Sequence, residues 1–196
     1  MKASVLASAT IDFVVVDATE KGKILQLECE VVEGGVQGVH LHPNSVLTTW
    51  IDQDFLDAVR LGWNAARHKT SSPASPIQQG FGRFRVLEQN DGGKPTTYRG
   101  KITGGSVGGA AFLGWARALT KTVPDPGVIV LTGIKEETNG TFKLVPVDEL
   151  PAKVAAIVSQ PRFDTIAVAS QVQEQVAVNQ LSGQDPPRVT VKNLGG

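Results

Sequence analysis

The stretch ITGGSVGG at residues 102–109 decides our interpretation of the fold, because it places Ser106 inside a cluster of glycines. Glycine has no side chain, so it permits tight turns and the close approach of another group. The residues that follow are mostly small or apolar and predict a helix from about Val107 to Leu119. Ser106 therefore lies at the beginning of a predicted helix.

A second stretch, VPVDELPAKVAA at residues 145–156, places Lys153 near the beginning of another predicted helix, which ends near Ser159. A buried-strand pattern at 128–133 and a hairpin turn at 138–141 separate the two stretches. A serine hydroxyl is a poor nucleophile at neutral pH unless a base takes its proton. A lysine becomes such a base when burial or nearby positive charge lowers its pKa. The two stretches together favour a Ser–Lys hydrolytic dyad.

The electrostatic field at the beginnings of these two helices favours a Ser–Lys dyad. The first backbone N–H groups of a helix have no partner within the helix and can stabilise an oxyanion. Gly104, Gly105 and Val107 are the candidates for oxyanion and substrate binding beside Ser106. The helix dipole disfavours positive charge at a helix start, which favours the neutral amine of Lys153.

Each feature taken alone also has a structural explanation. Ser106 can be a helix-capping serine in a glycine-rich turn, and Lys153 can be a solvated surface lysine. The glycines could cradle a phosphate, but no lysine follows them as it does in a P-loop. His40 and His42 alternate on one strand face as metal ligands can, but no carboxylate is obviously paired with them, so we predict no metal site. No motif supports a Ser–His–Asp triad that uses Ser106.

The rest of the chain is predicted to form strands and helices. The periodic residues Ile51, Phe55, Val59 and Trp63 predict a core helix over about 52–68. The other predicted elements are an antiparallel meander of strands at 10–17, 24–32 and 36–41, a loop at 70–76, strands at 81–88 and 165–169, and a helix at 171–181. A linker-like stretch at 182–187 and a tail follow.

Composition excludes several classes of function. The 196 residues carry 19 basic and 19 acidic side chains, so the net charge of zero argues against nucleic-acid and membrane-surface partners. No window is long and apolar enough to span a membrane, and the N-terminal apolar run is too short for a signal peptide. The single cysteine, Cys29, allows no intramolecular disulfide and is expected to be a buried thiol. These features favour a cytoplasmic location.

Residues 10–170 resemble the proteolytic domain of Lon proteases, and three motifs carry the resemblance. The sequence GGSVG at 104–108 is similar to the family's nucleophile segment, glycine-proline-serine-alanine-glycine. The sequence LTG at 131–133 is similar to the methionine-threonine-glycine of the strand that faces the dyad. Lys153 follows Pro146 by seven positions, which is the spacing of the family's catalytic lysine.

This sequence departs from the family at three places near the dyad. Thr103 stands where the family has an acidic residue before the serine, and Gly105 stands where it has a proline. Asp148 and Glu149 replace the double glycine before the lysine helix. These departures affect the substrate groove and the loops more than the dyad.

The resemblance implies an α+β domain of the Lon proteolytic type, ribosomal protein S5 domain 2-like, over residues 1–170, with a helix and a tail or linker at 171–196. It implies an ATP-independent serine endopeptidase with Ser106 as nucleophile and Lys153 as general base, acting on flexible peptides or a partner protein. Thr132 would hold the lysine amine, although a plain strand residue explains it equally well. No cofactor is implied, and a ring-shaped homo-oligomer or fusion to partner domains is expected. The alternative is a catalytically silent Lon-like module for binding or assembly.

Overall fold

The structure, a computed structural model, describes residues 4–17, 19–34, 38–46, 48–70, 79–89, 93–123, 125–182 and 188–195. The strands are β1 (Val5–Val16), β2 (Gly22–Val32), β3 (Val39–Leu41), β4 (Thr49–Ile51), β5 (Phe81–Gln89), β6 (Pro95–Thr97), β7 (Gly100–Ile102), β8 (Val128–Leu131), β9 (Gly133–Glu136), β10 (Phe142–Val145), β11 (Thr165–Val168) and β12 (Thr190–Asn193). The helices are α1 (Gln53–Thr70), α2 (Gly108–Thr120), α3 (Leu150–Val158) and α4 (Gln171–Leu181).

The largest sheet has the strand order β1-β2-β5-β3, with β6 added to β5. Successive side chains of a strand point to opposite faces of the sheet, so the two faces of this sheet carry different residues. One face is buried and carries Phe13, Leu27, Cys29 and Phe84, among others. Burial raises the pKa of the Cys29 thiol well above its ordinary value, which leaves it a structural, unreactive group.

The opposite face of this sheet is held by cross-strand ion pairs. Glu30 lies opposite Arg83 in the β2–β5 register, and Arg83 Nε donates to Glu30 Oε2 at 2.6 Å. Glu28 lies opposite Arg85 and accepts two hydrogen bonds from its guanidinium group. Directly opposed opposite charges stabilise strand pairing modestly, so this face fixes the register between β2 and β5.

Helices α1 and α2 cover the apolar face of the sheet and form the first core with it. The helices approach closely at Gly62, where an added Cβ would lie 2.7 Å from the backbone N of Phe112. Trp63 and Trp115 meet edge to face beside this contact, with ring centroids 4.9 Å apart. Gly105, just before α2, lies near the first turns of α1, so both helices begin at the same end of the domain.

A second core lies on the other side of β1 and β2. It consists of the parallel sheet β12-β11-β8 with α3 and α4 packed against it. Val14 of β1 also contributes to this core. Helix α3 contacts β2 at Gly22, where a Cβ would lie 2.5 Å from the carbonyl oxygen of Ala152. The two cores therefore share the β1–β2 hairpin as a common wall.

Two small sheets connect the cores to the region of Ser106 and Lys153. Strands β4 and β7 pair in parallel immediately before α1 and before the glycine-rich stretch. Strands β9 and β10 form an antiparallel hairpin between β8 and α3. Each small sheet thus ends next to one of the two candidate stretches.

The prediction of an α+β fold with mixed and antiparallel sheets flanked by helices is confirmed. The predicted meander is wrong at its third strand, because β3 pairs with β5 in parallel rather than with β2. The segment at 171–196 contributes α4 and β12 to the second core, and the linker-like residues 183–187 lie outside the described ranges, as do residues 71–76 of the predicted loop. Within the described residues, no helix has the length and apolar character needed to cross a membrane.

The α1–α2 contact gives a first test of the packing. Replacing Gly62 by Ala gains up to about 1 kcal/mol of helix propensity, but the new methyl group would lie 2.7 Å from Phe112 N and 2.8 Å from Ala111 Cβ. We expect Gly62→Ala to lower the free energy of unfolding in urea by about 1–3 kcal/mol, as overpacking does. The exposed Asn64→Ala on the same helix should leave it unchanged or slightly raised, and equal effects of the two changes would contradict this packing.

Candidate functional site

Ser106 lies in the turn between β7 and α2 and is half-buried. The turn begins at Gly104, whose φ of +87° is a conformation that favours glycine. It closes where the Gly108 N–H donates to the Gly105 carbonyl oxygen at 3.3 Å. The glycine-rich stretch therefore presents Ser106 immediately before the first turn of a helix, as the sequence predicts.

The backbone amides around Ser106 divide into two groups. The N–H of Gly104 donates to the Asp52 carboxylate at 3.0 Å, so this predicted oxyanion donor is already occupied. In the described part of the chain, no hydrogen bond uses the N–H of Gly105, Ser106 or Val107. These three consecutive amides, which have no acceptor in the described chain, lie at the positive end of α2 and can donate hydrogen bonds to a developing negative charge.

Asp52 links the beginning of α1 to the serine turn. One carboxylate oxygen accepts from the N–H of Phe55 at 2.8 Å, which caps the helix. The other oxygen accepts from Gly104, and the Asp52 N–H donates to the Ile102 carbonyl at 3.2 Å. Our sequence analysis placed Asp52 only at a helix start, because a contact across 52 positions leaves no local signal.

Thr132 follows β8 and lies directly against the first turn of α2. Its carbonyl oxygen accepts from the Gly109 N–H at 2.8 Å. A Cβ on Gly109 would lie 1.8 Å from Thr132 Oγ1, so only glycine fits at that position. The threonine side chain is completely buried, and among the described residues its Oγ1 has no hydrogen-bond partner. A buried hydroxyl without a partner is energetically costly.

Lys153 lies in the first turn of α3, and only 3% of its surface is exposed. Its Nζ donates to the Asp148 carbonyl oxygen at 2.7 Å, and it forms no ion pair within the described ranges. Burial lowers the pKa of Lys153 below its ordinary value, and the negative charges of Glu149 and Asp148 partly oppose that shift. The structure therefore places Lys153 inside the protein, which excludes the solvated surface lysine.

The loop before Lys153 is fixed by two unusual features. Glu149 precedes α3 with a φ of +56°, a left-handed conformation that costs a non-glycine residue about 1–2 kcal/mol. Gln173 of α4 is buried and donates from Nε2 to the Val147 carbonyl oxygen at 2.7 Å. The loop therefore holds Glu149 in a backbone conformation that glycine adopts without strain.

Thr132 and Gly133 bring the two predicted stretches together. On one side, Thr132 is bonded to Gly109, three residues after Ser106. On the other side, Gly133 pairs with Val145 at the end of β10, which leads to Lys153. No hydrogen bond between the described residues joins Ser106 to Lys153 directly. The serine turn and the lysine helix are thus neighbours of one short segment, with the lysine amine bound to Asp148.

The histidines do not join this site. His42 Nδ1 accepts from the Asn44 N–H at 3.1 Å within a short turn at 43–45, and the ring of His40 packs against Phe81. The described residues contain no group of three histidine, cysteine, aspartate or glutamate side chains close enough to hold a metal ion.

No model of a known protein family matches this chain, and no curated protein matches it. The candidate function therefore depends on the chemistry of the residues described above: a half-buried serine with free amides, a buried lysine and a buried threonine hydroxyl.

Asp52 provides a test of how the serine turn is held. Asp52→Ala removes both the helix cap and the acceptor of the Gly104 N–H, so we expect the free energy of unfolding to fall by about 1–2 kcal/mol. Asp52→Asn can still cap α1 but offers an amide group to Gly104. We expect faster hydrogen exchange at the Gly104 amide in both variants and a smaller loss of stability in the second. Asp54→Ala, an exposed change in the same turn, should leave Gly104 exchange unchanged.

The lowered pKa of Lys153 predicts how the stability of the fold depends on pH. The pKa of Lys153 in the folded state lies below the ordinary value of 10.5. At pH values between these two pKa values, the lysine is protonated in the unfolded chain and neutral in the folded chain. Stability that depends on Lys153 therefore rises with pH through this window and is lowest below it. We expect Lys153→Met to raise the free energy of unfolding at pH 7 by about 1 kcal/mol and to remove this rise. The exposed Lys135→Met should do neither, and a destabilised Lys153→Met would contradict the assignment.

Proposed function

We propose that this protein is an ATP-independent serine peptidase of the Lon-like type, with a Ser106–Lys153 dyad. The observation that carries the proposal is the burial of Lys153 without a carboxylate partner in the described ranges. A buried amine in an apolar setting is readily neutral, and a neutral amine is what a general base requires. Lysines whose pKa is lowered by burial occur preferentially at functional sites.

The reaction follows from the groups present. Ser106 Oγ attacks the carbonyl carbon of a peptide bond while its proton passes to Lys153 Nζ. The free amides of Gly105, Ser106 and Val107 stabilise the oxyanion that forms. The carbon–nitrogen bond then breaks as Lys153 gives the proton to the leaving amine. Water hydrolyses the resulting ester, with Lys153 again acting as the base.

Thr132 has a distinct part in this proposal. Its buried Oγ1 has no partner in the described chain, while the Lys153 amine is held by the Asp148 carbonyl. Once a substrate excludes water, the threonine hydroxyl is the polar group available to hold the amine near Ser106. Productive geometry therefore requires Lys153 to turn away from Asp148.

The wider properties of the proposed enzyme follow from the resemblance and from the composition. We expect its substrates to be flexible peptides or unstructured segments of a partner protein. It needs no cofactor, and we expect it to form a ring of identical copies. The single, buried Cys29 suits a reducing compartment such as the cytoplasm.

One observation favours the second candidate, a catalytically silent module for binding or assembly. Lys153 donates to Asp148 and not to Ser106, and the loop that holds it carries Asp148 and Glu149 in place of two glycines. A module of this kind would keep the fold of the site and lose its chemistry.

The decisive experiment measures cleavage of a mixture of unstructured peptides by mass spectrometry, together with covalent labelling by a fluorophosphonate. We expect the wild type to cleave and Ser106 to be labelled. Ser106→Ala and Lys153→Met should each lower the cleavage rate by about 10²–10⁴-fold. The wild-type rate should rise with pH and level off below pH 10.5, because Lys153 must lose its proton and its pKa is lowered.

Matched control variants keep this result interpretable. Ser8→Ala and Lys135→Met change exposed residues of the same types and should retain the wild-type rate. Cleavage that persists in Ser106→Ala would exclude the dyad. A wild type that is folded, does not cleave and is not labelled would establish the silent module.

A further inference from the structure

Helix α4 reaches the candidate site through one buried side chain, that of Gln173. The sequence places residues 171–196 outside the predicted proteolytic domain, as a helix followed by a tail or linker. In the structure only 6% of the surface of Gln173 is exposed, and its Nε2 donates to the Val147 carbonyl oxygen at 2.7 Å. The segment beyond the predicted domain therefore contributes a contact to the loop that precedes Lys153.

The carbonyl group that receives this bond belongs to no strand or helix. Strand β10 ends at Val145 and helix α3 begins at Leu150, so Val147 lies in the connection between them. Val147 is buried, and a buried carbonyl group needs a hydrogen-bond donor. Among the described residues, Gln173 is the one donor to it. The bond from α4 is thus what anchors this part of the loop.

The next carbonyl group along the loop holds the amine of Lys153. Asp148 directly follows Val147, and its carbonyl oxygen accepts from Lys153 Nζ at 2.7 Å. Only two backbone dihedral angles separate consecutive peptide planes, so a shift of the first carbonyl group moves the second. On the other side, the Glu149 carbonyl oxygen accepts from the Lys153 N–H at 3.2 Å. Gln173 and the first turn of α3 together fix the acceptor of the lysine amine.

The side-chain amide of Gln173 makes a single hydrogen bond, and that bond goes to the loop. Its Oε1 is buried and has no hydrogen-bond partner in the described part of the chain. An apolar side chain would avoid the unpaired oxygen but would leave the Val147 carbonyl group without a donor. The backbone N–H of Gln173 donates to Ser170 Oγ at 3.3 Å, which holds the first turn of α4 in place. The amide is therefore presented to the loop from a capped helix.

We infer that Gln173 is a positioning residue, which fixes the backbone of Val147 and Asp148 and thereby sets where the Lys153 amine lies and how well it is shielded from water. The inference rests on the proposed function, because the position of Lys153 affects cleavage only if Lys153 is the base. Among the described residues, the ionisable groups that act on Lys153 are Glu149 and Asp148 of the same loop. A change in this loop therefore alters both the hydration of the amine and the charges beside it.

The first arm of the test titrates Lys153 in the full chain and does not depend on catalysis. NMR follows lysines labelled with carbon-13 at Cε, and Lys153→Met identifies the signal. Burial is the main cause of the lowered pKa of Lys153, so Gln173→Leu, which loosens the loop and admits water, should raise that pKa toward the ordinary 10.5. Gln175→Leu makes the same change at an exposed position of α4 and should leave the pKa as it is in the wild type.

The second arm measures the kinetics of peptide cleavage. We expect Gln173→Leu to lower kcat by about 10–100-fold with little change in KM, because a displaced base slows proton transfer without removing a contact to the substrate. Ala177→Gly weakens α4 within the second core but keeps the Gln173 bond, so it should retain the wild-type kcat and the wild-type pKa of Lys153. Gln173→Met, which also lacks a donor and packs more adaptably, repeats the test if the leucine variant does not fold.

The outcomes separate the positioning role from the peptidase. An unchanged pKa of Lys153 in Gln173→Leu, or an unchanged kcat of an active enzyme, would overturn the inference. An equal effect of Gln175→Leu or Ala177→Gly would overturn it as well, since it would show a general response of α4. A raised pKa in a protein whose wild type cleaves nothing would retain the positioning role and remove the peptidase.

Discussion

The close contact between the first turn of α2 and the end of β8 is the constraint on which the rest of this structure depends. Gly108 and Gly109 leave no room for a Cβ against Ile134 and Thr132, so the helix that begins after Ser106 lies directly on the strand. A side chain at either position would separate the serine turn from the segment that leads to Lys153. The glycines thus fix the distance between the two halves of the candidate site, as well as the shape of the turn.

The second constraint is the burial of a charged residue type. Lys153 lies in a core with Leu150 and Val154 on its own helix, and its amine has one carbonyl partner. Hydrophobic side chains of similar length would fit such a place with less desolvation. Together with the buried Thr132 hydroxyl and the left-handed Glu149, this makes one small region less favourable than the rest of the fold. The two cores on either side of it supply the stability that allows this arrangement.

Much of the fold could be predicted from the sequence, because the long elements have strong periodicity. The alternation along β1 and β2 and the four-residue spacing of Phe55, Val59 and Trp63 are local signals, and these elements are present. The parallel pairing of β3 with β5 could not be predicted, since it depends on which strand lies next to β2 after the chain has passed through α1. Strand β12 was missed because its four residues lack a strong apolar pattern.

Within the site, sequence patterns placed Ser106 just before one helix and Lys153 near the beginning of another, as in the structure, but the strand predicted through Thr132 ends at Leu131. These patterns could not give the contacts of the three residues. The Asp52 bridge and the Gln173 bond to Val147 join residues 52 and 26 positions apart, and no local pattern encodes them. The burial of Lys153 was a hypothesis in the sequence, because Lys153 taken alone is also explained as a solvated surface lysine. Its burial depends on the packing of α3 against the second core.

The division of the molecule into two cores has a further consequence. Ser106 adjoins the first core and Lys153 lies in the second, and the chain passes from one to the other near residues 123–127. A chain cut there would give one fragment with Ser106 and the first core and another with Lys153 and most of the second core, which also needs Val14 from the first fragment. Under the proposed mechanism neither fragment would cleave peptides alone, so peptide cleavage would report their reassembly. The same separation would let evolution change the serine half and the lysine half as independent modules, provided that the shared wall of β1 and β2 is kept.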